Sequence, residues 1–226
     1  MSEQPLTVLC LASFFKGNRF FERLKAEGCR VFLLTVEAVL HEPWARGSLE
    51  DVFAVPTFAD RATLIKVVAY LFRTHRFDRI VALDDFDVEV GAFLREHFRM
   101  TDTGLGETQA RFFRDKLAMR GRARELGIRI PDFAPLFDHA ALPEFLGRCP
   151  GPWLIKPRSE ASAAGIRRCA TPDEVWKVVE ALGDEQSTHL IEQMVPGELF
   201  HVDSLVCDGE VIFAEANGYH LSLIHI

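Results

Sequence analysis

The sequence predicts an α/β unit built on a doubly wound parallel sheet, followed by an α+β lobe built on an antiparallel sheet. Three observations carry this. Before about residue 100, short β-rich runs alternate with segments of helical period, the pattern of βαβ units. The strands V-L-C-L-A and V-F-L-L-T are apolar at every position rather than every second one, as in a parallel sheet covered on both faces. After Pro152, alternating runs meet at Asp208-Gly209, a pair that marks a tight hairpin.

The elements follow in order. Thr7 to Ala12 reads as a strand, Asn18 to Glu27 as a helix closed by Gly28, and Val31 to Thr35 as a second strand. A helix from about Asp60 to His75, a strand from Arg79 to Leu83 and a helix from Val88 to Phe98 complete the first domain, expected over 1–103. The segment T-D-T-G-L-G-E-T near residue 104 reads as the linker to a second domain over 104–226. One long helix is then expected, ending at Gly127 with Pro131 beyond. Stepping by three and four along it places Phe112, Lys116, Met119, Ala123 and Leu126 on one face. A lysine amid an apolar stripe either snorkels to its edge or faces a bound anion. The arginines of R-G-R-A-R read as a solvated helix face.

In the second domain, Trp153 to Lys156 and Ile166 to Cys169 read as strands around a loop of small residues, with a helix from Pro172 to Gly183. H-L-I-E-Q-M-V breaks at Pro196-Gly197 into the alternating strand E-L-F-H-V-D-S-L-V-C, which turns at Asp208-Gly209 into E-V-I-F-A-E-A. In the loop, Ser159, Ser162 and Gly165 lie among alanines, so the backbone can approach a ligand closely while Lys156 supplies charge from the strand beside it. A hairpin with a flexible tip would look the same. The chain contains no G-x-x-x-x-G-K-[ST] loop.

Composition narrows the classes. At 226 residues, 48% hydrophobic and with a formal net charge of -7, the chain can bury sizeable cores and lacks the charge for a general grip on nucleic acid. The five cysteines lie far apart without metal-type spacing, as reduced packing residues do. The first residues lack a secretory pattern and no run approaches the roughly 20 apolar residues of a membrane span, so a cytoplasmic location is expected.

R-D-K-L-A-M-R, then W-L-I-K-P-R-S-E-A-S-A-A-G-I, then L-I-E-Q-M-V-P-G-E-L-F-H-V-D-S-L-V together resemble the ATP-grasp superfamily, in particular its carbamoyl phosphate synthase and biotin carboxylase-like members. The first domain resembles the pre-ATP-grasp domain. The resemblance implies that Lys116 and Lys156 approach the phosphates of ATP, Lys156 also within reach of the adenine. It implies that Glu192 accepts from the adenine amino group, that Gln193, Met194 and Val195 form the hinge along the base, and that Glu198 binds the ribose hydroxyls. Read without the family, Glu192 after the apolar run L-I and Glu198 at the start of an alternating run could instead be edge carboxylates facing water. His201 and Asp203 share a strand face that could be either cleft or exposed sheet. Asp84, Asp85 and Asp87 follow a strand end where open sheets bind ligands, and N-capping by one of them is the simpler role.

The implied activity is that of a ligase that activates a carboxylate with ATP as an acyl phosphate for attack by an amine or other nucleophile. ATP, Mg2+ and a small carboxylate substrate are the implied ligands, and a homodimer is compatible with the family. The alternative is a non-catalytic nucleotide-binding or regulatory module. The family's Mg2+ ligands come from a later stretch with an acid and a Glu and Asn pair. That stretch is expected beyond Ile226, so the lobe is expected to be incomplete and inactive alone, with no catalytic or metal residue assigned here. Glu215 and Asn217 have E-x-N spacing but follow the hairpin too closely to be that pair. The tail L-S-L-I-H-I resembles the translated start of a sequencing adapter and fits a truncated reading frame.

Overall fold

The computed structural model describes residues 5–160 and 164–219. The chain divides into two compact units, Met1–Arg114 and Asp115–Ile226.

The first unit carries a four-stranded sheet of β1 (Thr7–Ala12), β2 (Arg30–Val36), β3 (Asp51–Val55) and β4 (Arg79–Ala82), in the order β3-β2-β1-β4. All three pairings are parallel. Every residue of β1 is buried, which explains its continuous apolar run: alternate side chains enter different cores. Leu9 and Leu11 pack with Phe32 and Leu34 and with Leu64 and Val68 of α2 (Arg61–Leu71), the cluster that also takes Leu94 of α3 (Val88–His97). Val8, Cys10 and Ala12 pack on the other face with Val31, Leu33 and Phe21 of α1 (Asn18–Ala26). Helices thus cover both faces, as expected of a doubly wound sheet. Strand β3 was not anticipated. It pairs with β2 alone, at the sheet edge, and its interior residues are only half-buried.

The long helix expected after residue 104 is two helices. α4 (Glu107–Arg114) packs against α3 within the first unit, and α5 (Lys116–Glu125) opens the second. The break falls at Asp115, whose backbone is extended and whose carboxylate accepts from the Leu117 and Ala118 N–H groups. An aspartate N-cap satisfies amide donors that a continuous helix would engage with carbonyls. The proposed stripe therefore spans two separate helices: Phe112 sits on α4 and Lys116 at the first position of α5. Within the segment read as the linker, Leu105 O accepts from Arg95 Nε at 2.9 Å.

The second unit holds a four-stranded sheet in the order β5-β8-β6-β7, antiparallel at each pairing. Its strands are β5 (Phe133–Pro135), β6 (Trp153–Pro157), β7 (Arg167–Cys169) and β8 (His189–Gln193). Trp153, Ile155 and Ile191 enter a core with Leu142 and Phe145 of α6 (Ala141–Arg148) and Val175 and Val179 of α7 (Pro172–Leu182). Strand β5 and helix α6 are further elements that the sequence reading missed. β9 (Phe200–Cys207) and β10 (Glu210–Gly218) form a separate two-stranded antiparallel ribbon. Its turn residues Asp208 and Gly209 both have positive φ, 51° and 82°, the requirement of the twist-matched hairpin turn that Asp-Gly favours.

Candidate functional site

The strand residues of β6 and β8 divide by parity. Ile155 and Ile191 are direct partners on the core side. Leu154 pairs with Glu192 and Lys156 with Leu190, so Lys156 and Glu192 are diagonal neighbours on the opposite face. There the Lys156 ammonium binds Glu192 Oε1. From α5, Arg120 reaches the same carboxylate, its Nε and Nη2 each 3.2 Å from Oε2. The three side chains are 12%, 6% and 23% exposed for Lys156, Glu192 and Arg120. Two cations thus face one buried carboxylate, leaving a net positive charge in a poorly hydrated setting.

The loop after β6 is tied to the start of α5. The Lys116 N–H donates to Arg158 O at 2.9 Å, and the Lys116 ammonium donates to Arg158 O and Glu160 O. Arg158 in turn forms a two-pronged ion pair with Asp115, Nε to Oδ1 at 2.9 Å and Nη2 to Oδ2. Burial pushes the Asp115 carboxyl upward, but Arg158 and the two capping N–H groups outweigh it and hold the group below its ordinary value. Gly165 closes the loop with φ 72°. A Cβ there would stand 2.9 Å from Pro157 Cγ, so the position requires glycine twice over.

The expected residues are distributed as follows. Lys116 opens α5, Lys156 lies near the end of β6, Ser159 and Gly165 fall between β6 and β7, and Glu192 lies in β8. Ser162 lies outside the described residues. Gln193 ends β8, its N–H donating to Asp132 O at 2.8 Å, and the Met194 N–H donates to Pro152 O at 2.9 Å. Val195 and Glu198 follow beyond the strand and are exposed. Glu198 does not open the strand, which begins at Phe200. The reading of Glu192 as an edge carboxylate facing water is overturned: it is 4% exposed. The solvated-face reading of R-G-R-A-R holds for Arg122, paired with Glu125, and for Arg124, which is half exposed over the Phe133 ring. It fails for Arg120. The available signal was its position four residues after Lys116, on the same helix face.

At the carboxyl ends of β1 and β4, Asp84 accepts from the Phe86 N–H at 2.9 Å and pairs with Lys16, so it caps a turn as anticipated. Asp87 accepts from the Ser13 N–H at 2.7 Å, and its burial raises its pKa. Asp85 pairs with Arg114 at 3.1 Å. His201 and Asp203 form a pair at 3.4 Å on β9. Among the described residues no group of three or more His, Cys, Asp or Glu stands together to hold a metal, and no helix is long and apolar enough to cross a membrane.

The donor set of the second unit suits a nucleotide polyphosphate: lysines on two elements, a small-residue loop between them, and a buried carboxylate beside a strand end that leads into exposed backbone. No set comparable for Mg2+ is present among the described residues.

No family model matches the chain. An L-arginine-specific L-amino acid ligase from Bacillus subtilis is 23% identical over 212 residues, covering 91% of this chain and 51% of that protein. An L-amino acid ligase structure from Bacillus licheniformis matches 96% of this chain and 54% of its own, with a TM-score of 0.75 at 19% identity. N5-carboxyaminoimidazole synthetase from Staphylococcus aureus, solved with ADP, matches 99% of this chain and 57% of its own, with a TM-score of 0.70 at 11% identity. The biotin carboxylase domain of a Hydrogenobacter thermophilus carboxylase, solved with MgADP, ADP and bicarbonate, matches 87% and 45%, with a TM-score of 0.66 at 14% identity. These proteins are ATP-grasp enzymes, and this chain spans about half the length of each. The parallel sheet followed by an antiparallel one is theirs as well, so over that half the chain has the ATP-grasp fold that its motifs resemble.

Proposed function

We propose that this chain is the nucleotide-binding portion of an ATP-dependent ligase, in which ATP activates a carboxylate as an acyl phosphate for attack by an amine or other nucleophile. The observation that carries the reading is the placement of Lys156 and Glu192 side by side on one sheet face, with Lys116 held at the base of the adjoining loop. Fold likeness to ATP-grasp ligases supports it.

In this reading Lys116 and Lys156 bind the phosphate oxygens, each charge-assisted bond contributing roughly 1.5–3 kcal/mol. Ser159, Ser162 and Gly165 belong to the loop that lets backbone N–H groups approach those oxygens. Glu192 accepts from the adenine amino group, Gln193, Met194 and Val195 run along the base, and Glu198 takes the ribose hydroxyls. The chain's contribution is positioning and electrostatic stabilisation. Mg2+ is the expected companion of the phosphates, with no residue of this chain assigned to it. A small carboxylate is the substrate class, a cytoplasmic setting is consistent, and the intact ligase is compatible with a homodimer.

Calorimetric titration of the chain with ATP tests the reading. Lys156→Ala is expected to weaken binding by about tenfold or more, since one charge-assisted contact exceeds the roughly 1.4 kcal/mol that corresponds to a factor of ten. Unchanged affinity refutes the phosphate assignment.

A further inference from the structure

Glu192 carries two cations where one suffices for neutrality, and they differ in kind. Lys156 is a single-point donor at a strand end next to the phosphate loop, bound to Oε1. Arg120 grips Oε2 through Nε and Nη2, both at 3.2 Å, from the body of α5. A planar guanidinium held at two nitrogens keeps its geometry better than a flexible ammonium. Desolvating a second cation is unfavourable without a further anion to face.

We propose that Arg120 is a positioning residue that retains Glu192 when Lys156 turns from the carboxylate to a phosphate oxygen. Without Arg120, that turn would strand a buried carboxylate with no cation, and the penalty would fall on phosphate binding. With it, the ammonium exchanges one anion for another while Glu192 stays in place beside the base. The inference rests on the nucleotide reading above and adds a residue that the motifs did not assign.

The test uses the full chain with ADP and adenosine as probes, measured by calorimetry and ligand-observed NMR. Arg120→Met keeps the Lys156–Glu192 pair, so its melting temperature is expected to stay within a few degrees of the parent. Its adenosine affinity is expected to hold within about twofold while ADP affinity falls about tenfold or more, and Arg120→Lys is expected to restore most of the loss. In a Lys156→Met background, Arg120→Met is expected to cost no further ADP affinity and to lower the melting temperature, because Glu192 then has neither cation. An equal loss for adenosine and ADP overturns the inference, since that is what a purely structural role produces. So does full ADP affinity in Arg120→Met. Should Arg120→Met not fold, Arg120→Gln, which can still hydrogen-bond to Glu192 but carries no charge, decides: ADP affinity lowered about tenfold with adenosine affinity held supports the inference, and an equal change in both, or none, overturns it. A parent chain that binds no ADP removes the nucleotide reading itself, and this inference with it.

Discussion

Replacing Glu192 with glutamine removes one charge from the centre of the triad and leaves its shape unchanged. Lys156 and Arg120 then face a neutral amide, and one of the two positions formerly occupied by a carboxylate oxygen presents N–H groups to a cation. Breaking a buried ion pair by removing one partner costs about 3–5 kcal/mol. Lys156 and Arg120 retain 12% and 23% of their side-chain exposure and can recover part of their hydration, so we expect a loss nearer 2–3 kcal/mol. Urea denaturation reads this directly. Trp153 and Trp176 lie in the second unit and Trp44 in the first, so a Trp44→Phe background confines the fluorescence to the unit of interest. At a urea dependence of about 1–3 kcal/mol per molar, the midpoint should fall by about 0.7–3 M. An unchanged or higher midpoint would refute the view that the two cations depend on this carboxylate.

Three further outcomes are expected. ATP should displace a fluorescent ATP analogue about tenfold or more better than GTP, because a carboxylate acceptor suits an exocyclic amino group and repels a carbonyl oxygen; Glu192→Gln should narrow the gap, and equal displacement by both nucleotides in the parent would contradict the assignment. Asp115 has a depressed carboxyl pKa, so the stability it contributes is whole above its ordinary value of 3.8 and is lost as pH falls through the lower folded-state value. Acid titration of the second unit's stability should therefore show a steeper decline below about pH 4 in the parent than in Asp115→Asn, and parallel curves would exclude the linkage. Gly165→Val should destabilise the loop by about 1–3 kcal/mol through its positive φ and the approach to Pro157, with ATP affinity falling alongside; a variant that binds ATP like the parent would show that the loop does not touch the phosphates.

Much of the first unit was legible because its strands β1 and β2 are buried on both faces, and a continuous apolar run such as V-L-C-L-A is incompatible with a strand that turns one face to water. Strand β3 was less visible because it lies at the edge, pairs once and begins on an exposed Asp51. The hairpin at Asp208-Gly209 could be read from local chemistry alone, since its backbone requires the left-handed region twice. The helix break at Asp115 was hidden by an apolar spacing that continued across it, although an aspartate before a new run of helix formers is itself a cap signal. In the site, Lys156 stood out as a lysine ending a buried strand. Arg120, which shares the Glu192 carboxylate with it, did not, because a run of arginines looks like a solvated face until a buried carboxylate on another element is found opposite one of them. The pairing of Leu154 with Glu192 supplies that carboxylate, and no local pattern in the sequence contains it.

The central claim is that ATP-type nucleotides bind the second unit between the start of α5, the loop after β6 and the end of β8. Amide chemical-shift mapping of the isotope-labelled chain on addition of MgADP tests it most directly. We expect saturable shifts at Lys116, at Lys156 and 158–160, at Gly165 and at 190–195, with the buried strand Thr7–Ala12 of the first unit unmoved. Shifts confined to the first unit, or none at millimolar MgADP, would contradict the claim.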